Sequence, residues 1–356
     1  MLRRNNFESY SGVDYVTMLD SLRRTMRNFM VGRYSTDQTS PQMKLYGEQF
    51  AYGHREVLLK YCNLPSDLIF EAHLPHGKIS PNFLDPIQKI FDPHGNPVLQ
   101  LLWRDDSKRE ATELGISNVQ PIGATFLYAL ANEGHSLGEI QAMLRESTSN
   151  FDWPAAEADQ RKYVKRFKSI VYMPMHSWDG DVRKHLVNPK SPLLGLPPER
   201  ITVLLGFLDF CDPVTRNVYM DLGWKVTCAG ARSSKVTGSP AGGRVDFLPN
   251  LYSILKDSEL VVSDEFTTGL FYAMAIGRKV GILNHSEQIE LVYSSWQTQS
   301  NFNERVNQFR NFYNWLHGDF STSEEIHLAV STALGINSFR VPEYFLNNVG
   351  TTKFFS

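Results

Sequence analysis

Ser263, Asp264, Thr267 and Thr268 carry side-chain oxygens where Leu260-Val261-Val262 gives way to a helix-like run. Such residues at a helix start serve two ends. Their oxygens cap backbone N–H groups that have no intrahelical partner. The same N–H groups, at the positive end of the helix dipole, hold a phosphate. Taken alone, the stretch is explained by capping; phosphate binding needs a second argument.

Other residues offer complementary chemistry. His76 is followed by Gly77; an imidazole titrates near neutral pH, and a glycine lets the backbone approach a ligand closely. "YMPMHSWDGD" (172–181) presents His176, Ser177, Trp178 and Asp179 after an apolar run, where His176 reaches a phosphate, Trp178 stacks on a base or sugar, and Asp179-Gly180 alternatively forms a turn. "CAGARSSK" (228–235) offers Gly230 for close approach and Arg232, Ser233 and Ser234 as donors. His54 and Arg55 either belong to an ordinary surface helix or face the same cleft, with Arg55 pairing an anionic acceptor or a carboxylate. Asp212-Pro213 reads as an N-cap followed by the first helical residue. No HExxH occurs, and the only DxD match, "DGD" at 179–181, is a three-residue match to the metal-binding tripeptide with no acidic cluster at metal-ligand spacing around it, so no metal is expected. Charge on a leaving group then falls to a helix N-terminus and to Arg or His side chains.

The elements that must position these residues are clearest in the second half. "SIVYMPM" (169–175), "RITVLLGFLDF" (200–210), "WKVTCAG" (224–230), "ELVVSD" (259–264) and "RKVGIL" (278–283) read as strands buried on both faces. Helical stretches at 212–223, 246–258 and 266–277 separate several of them. That rhythm predicts a doubly wound sheet. No GxGxxG follows a strand and no GxxxxGK[ST] occurs, so the usual dinucleotide and P-loop readings lose their support. In the first half, Asp67–Ala72, Pro97–Trp103 and Val119–Phe126 read as strands, with a helix over 107–116 ending at Gly115. A polar stretch at 145–168, broken by Pro154, marks the boundary between a first α/β domain (1–160) and a Rossmann-like second domain (161–335). Residues 336–356 form a tail that returns to the first domain.

Length and composition fit this division. The chain has 356 residues, 42% of them hydrophobic and 21% charged, with a formal net charge of −2. That balance argues against a chain devoted to nucleic acid. Arg23, Arg24, Arg27 and Arg33 alternate with apolar residues at helical spacing, which makes an amphipathic helix with room for peripheral contact with the inner face of a membrane. Cys62, Cys211 and Cys228 lack metal or disulfide spacing. The chain carries neither a signal-peptide core nor an apolar run of ~18 residues, so the expected location is the cytoplasm.

The stretch "FLPNLYSILKDSELVVSDEFTTGLFYAMAIGRKVGIL" (247–283) resembles the donor-binding segment of GT-B glycosyltransferases, in particular bacterial surface-polysaccharide and capsule transferases. "DLIFEAHLPHGKI" (67–79) resembles the segment that places a His-Gly pair after a strand in CDP-glycerol glycerophosphotransferase-like enzymes. The resemblance implies an α/β protein of two Rossmann-like domains facing a central cleft. It implies a nucleotide-sugar as donor substrate, no further cofactor, and a polysaccharide, glycolipid or glycoprotein acceptor. On that reading His76 is the general base, His176 and Asp179 are catalytic with it, and Gly230, Arg232, Ser263, Asp264, Thr267 and Thr268 hold the donor. Neither the Glu-x7-Glu motif of the large retaining families nor an "HP" motif is found, only the reversed pair at Pro75-His76 and Pro93-His94. A sugar-nucleotide 2-epimerase of the same fold, and a non-catalytic protein that binds a glycan or a partner, remain the alternatives. A homo-oligomer is compatible with the C-terminal residues.

Overall fold

The computed structural model describes residues 49, 52–74, 90–92, 94–149, 151, 153–154, 157–174, 187, 189–230, 246–264, 267–283 and 323–353. The first half contains α1 (His54–Tyr61), β1 (Leu68–Phe70), β2 (Ala72–His73), β3 (Leu99–Leu102), α2 (Asp106–Glu113), β4 (Val119–Pro121), α3 (Thr125–Asn132), α4 (Leu137–Ser149) and α5 (Glu157–Val164). The second contains β5 (Ile170–Met173), β6 (Ile201–Leu204), α6 (Phe207–Cys211), α7 (Pro213–Met220), β7 (Lys225–Thr227), α8 (Phe247–Leu255), β8 (Leu260–Ser263), α9 (Thr268–Ala275) and β9 (Lys279–Ile282). Beyond these come α10 (Ser323–Leu334), α11 (Pro342–Asn348) and β10 (Thr351–Lys353). The protein is thus mixed α/β, built on parallel sheets. No described helix is long and apolar enough to cross a membrane.

Strands β5 to β9 form one parallel sheet in the order β7-β6-β5-β8-β9. Its inner strands are short and rich in Val, Ile and Leu because both faces are covered, whereas β7, expected to be buried likewise, is an edge strand with Lys225 exposed and Val226 and Thr227 half-buried. Alternation along β5 divides the two cores: Ile170 and Tyr172 enter one cluster with Val203, Tyr219, Trp224 and Val262, while Val171 and Met173 enter the other with Val261 and Leu270. The second cluster runs on without a break into the first half, through Phe126, Leu127, Leu101 and Trp103. Helix α9 lies within it, buried from Gly269 to Ala275, as a helix apolar all round must be. The ring of Tyr272 stacks on Phe126 at 4.3 Å.

The first half carries its own parallel sheet, β2-β3-β4. Strand β1 does not join it. It pairs antiparallel with β10, Phe70 opposite Thr351, so residues from the far end of the fold close the edge beside α1. The docking is tight at Gly335, whose backbone has φ of +62° and passes so close to Trp103 that a Cβ there would lie 1.7 Å from the Trp103 carbonyl oxygen. Ala124 N donates to Leu334 O at 2.8 Å, and Arg340 Nε donates to Pro121 O at 3.2 Å.

Several sequence readings are corrected in their extent. The run at 200–210 is a strand only to Leu204 and then turns into α6. The stretch 119–126 is a strand to Pro121, after which Gly123 at φ +79° redirects the chain into α3. The segment 67–72 is two strands belonging to two sheets. The basic N-terminal helix expected near 18–33 lies outside the described residues.

Candidate functional site

In the order β7-β6-β5-β8-β9 the chain builds outward from β5 to one side, then returns to build the other side from β8. The carboxyl ends of β5 and β8 therefore flank the switch point, where open parallel sheets receive ligands. Met173 and Ser263 are register partners there. The Ser263 hydroxyl, 1% exposed, donates to Met173 O at 2.8 Å. Its single proton is therefore committed to tying the two strand ends together.

Asp264 follows Ser263 and is held from beneath. Tyr172 Oη donates to Asp264 Oδ2 at 2.6 Å, a charge-assisted bond. The Tyr172 ring meets Tyr219 and Trp224 edge-on, and those two rings stack on each other. Burial, then the nearby Asp264 carboxylate and Tyr219, hold the Tyr172 phenol well above its ordinary pKa. Tyr219 is likewise pushed up by burial, then by Asp264 and by the buried Asp209. Both phenols keep their protons throughout the neutral range, so Tyr172 remains a donor and Asp264 a positioned carboxylate.

Thr267 is the N-cap of α9, its backbone extended at φ −133° and ψ 150° and its Oγ1 accepting from Gly269 N at 3.4 Å. Thr268 opens the helix, half-buried. The first turn of α9 lies against the end of β5: a Cβ on Gly269 would come within 2.9 Å of Met173 Sδ. Gly230, beyond the end of β7, has φ of +120°, and among the described residues a Cβ there would meet Asn250 Nδ2, at 3.9 Å. The glycine is needed for its backbone conformation. Asn250 Nδ2 donates to Ala229 O at 3.1 Å, fastening α8 to the same edge. One edge thus gathers Gly230, Ser263, Asp264, Thr267 and Thr268. His76, His176, Asp179 and Arg232 lie outside the described residues, as do Ser177, Trp178, Ser233 and Ser234. Asp212 caps α7, accepting from Val214 N and Thr215 N.

The thiols at this edge are quiet. Burial raises both Cys211 and Cys228, so neither is a thiolate at neutral pH. Among the described residues no group of three or more His, Cys, Asp or Glu side chains could hold a metal.

Facing this edge from the first half is a carboxylate that the sequence reading passed over. The expectation of a surface helix at His54-Arg55 is corrected: in α1 these residues are 1% and 8% exposed. Arg55 donates from Nη1 to Leu68 O and from Nη2 to Ser66 O, both at 3.2 Å, and from Nε to Glu56 Oε1 at 3.1 Å. Glu56 is consequently fixed through one oxygen. Its other oxygen, Oε2, is buried and receives no hydrogen bond, an arrangement that costs about 1–3 kcal/mol. Burial raises the Glu56 pKa above the usual carboxylate value; the Arg55 charge, a hydrogen bond from the Glu56 backbone N–H and the bond from Arg55 oppose that, and Asp246 adds a smaller upward push. Beside it the Tyr52 ring packs on Phe247 at 4.7 Å, so the first turn of α1 and the start of α8 form a seam. No signal in a single sequence could have marked Glu56, because Arg55's carbonyl partners are brought to it by the fold.

Comparison with protein-family models, with curated proteins and with solved structures finds no match to this chain.

Proposed function

We propose that the protein is a glycosyltransferase of GT-B-like arrangement, moving a sugar from a nucleotide-sugar donor to a polysaccharide, glycolipid or glycoprotein acceptor. The observation that carries this reading is the strand order β7-β6-β5-β8-β9, whose switch point coincides with the Asp264–Thr268 segment and the start of α9. An α-helix N-terminus there attracts the donor diphosphate. Asp264, oriented by Tyr172, accepts hydrogen bonds from ribose or sugar hydroxyls. Gly230 lets the chain pass close to the nucleotide, and Arg232 supplies charge to the departing diphosphate without a metal.

On this reading residues 1–160 bind the acceptor, 161–335 bind the donor, and 336–356 return to the first domain. The two separate parallel sheets, and the pairing of β10 with β1, support that division. His76, His176 and Asp179 remain the sequence's candidates for the cleft, working in the cytoplasm on an acceptor at a membrane or on a soluble glycan.

The test is a thermal-shift panel with UDP, CDP, GDP and dTDP and their sugar conjugates. A ligand at ~100 times its dissociation constant adds about 2.7 kcal/mol and raises the melting midpoint by a few degrees. Selective stabilisation by one base, followed by nucleoside diphosphate release that requires an acceptor, establishes the transferase. Conversion of the donor sugar without an acceptor means the epimerase reading. A panel with no shift ends both and leaves a glycan- or partner-binding protein.

A further inference from the structure

We propose that Glu56 is the base that takes the proton from the acceptor hydroxyl. The inference rests on the transferase reading and names the group within that site that performs the proton transfer.

Glu56 lies in the first turn of α1, beside the start of α8. The start of α8, with Asp246 and Phe247, follows β7 and so marks the carboxyl edge of the five-stranded sheet, the edge that also bears Gly230 and Thr267. Glu56 is close enough to Asp246 to feel its charge, and Tyr52 packs on Phe247. The carboxylate therefore belongs to the first half yet faces the seam with the second.

Its two oxygens are treated unequally. Oε1 is gripped by Arg55, at 3.1 Å from Nε and 2.9 Å from Nη2, and Arg55 is itself immobilised by two backbone carbonyls. Oε2 has no donor. An acidic residue in the first turn of a helix is explained by the helix dipole, and the Arg55 pair by charge. Neither explains burying the second oxygen without a partner, whereas an incoming hydroxyl supplies the missing donor. The side chain as a whole keeps 18% exposure, with Oε2 itself covered. Burial also raises its basicity above that of an ordinary carboxylate.

The step balances. The acceptor O–H proton passes to Glu56 Oε2 as the acceptor oxygen forms its bond to the anomeric carbon. The bond from that carbon to the donor phosphate oxygen breaks, and its electron pair leaves with the nucleoside diphosphate. Glu56 then returns the proton to water.

The experiment uses the full chain, with the nucleotide-sugar that stabilises it in the panel, and follows nucleoside diphosphate release. Glu56→Gln should keep the donor-induced thermal shift and lose at least ~100-fold in kcat. Formate should restore part of the rate to Glu56→Ala and none to the wild type. The rise of kcat with pH, set in the wild type by Glu56 among its neighbours Arg55, Asp246, Tyr52 and His54, should vanish in Glu56→Gln. An active Glu56→Gln, or a His76→Gln variant that alone loses turnover, overturns the assignment. A wild type that releases no nucleoside diphosphate from any donor ends the transferase reading, and the role of Glu56 with it.

Discussion

Tyr172 and Asp264, on neighbouring strand ends 92 positions apart, are joined by a 2.6 Å hydrogen bond from phenol to carboxylate. The bond sets the direction of the acidic group that follows β8. Tyr172→Phe removes the donor while keeping the ring against Tyr219 and Trp224. The expected loss is about 1.5–3 kcal/mol in urea unfolding, the range for a hydrogen bond to a charged group. Donor binding should weaken as well, since Asp264 would lose its orientation. An unchanged urea midpoint would show that the bond contributes nothing to the folded state.

Thr267 is the cap of a helix that lies inside the core. Thr267→Ala should cost about 0.5–1 kcal/mol, the lower part of the range for N-caps because the bond to Gly269 N is long at 3.4 Å. Thr267→Ser should recover most of that. If the alanine variant also loses its thermal response to the nucleotide, while unfolding only slightly earlier, the hydroxyl serves ligand as well as helix.

Glu56 predicts an unusual pH dependence of stability. Its folded pKa is raised above the ordinary 4.5 by burial, so folding favours the protonated form. Its contribution is fully present below about pH 4.5, the ordinary value, and is lost as the pH rises through the raised folded pKa. Glu56→Gln cannot ionise. Its melting midpoint should therefore gain on the wild type as the pH climbs from 4.5 through the raised folded pKa, measured by calorimetry across that window. A difference that stays constant with pH would mean that the carboxylate is not disfavoured by its surroundings.

Gly335→Ala tests the docking of the C-terminal segment. A Cβ there collides with the Trp103 carbonyl, and φ of +62° strains any side chain. Together these should cost about 3 kcal/mol or more. Limited proteolysis should then cut first within 323–353. Normal stability would mean that the contact between Gly335 and Trp103 relaxes at little cost.

Much of the second sheet was legible because strands buried on both faces are written as continuous β-branched runs. "ELVVSD" and "RKVGIL" match β8 and β9 to within a residue or so. The signal failed where apolar residues ran on past the strand: Leu205-Gly206 leads into a helix as hydrophobic as the strand before it, and periodicity cannot separate the two. It failed again at 67–72, because the partner of β1 is β10 and nothing local announces so distant a pairing. The caps at Thr267 and Asp212 could be read from residue type alone. The bond between Tyr172 and Asp264 could not, since it exists only once β5 and β8 are neighbours in the sheet. Glu56 was hidden for the same reason: the carbonyls that fix its arginine come from Ser66, before β1, and from Leu68, at its start.

The pairing of β1 with β10 also has a consequence in time. Tyr61, on α1, donates to Arg340 O, 279 positions later, and the Phe70 edge waits for Thr351. A ribosome making this protein exposes α1, β1 and the first parallel sheet long before their covering residues exist. Contacts so remote in sequence form slowly, after a large loop has closed. The growing chain must carry an open apolar edge through most of its synthesis, which makes the first half a natural client for a chaperone that binds nascent chains.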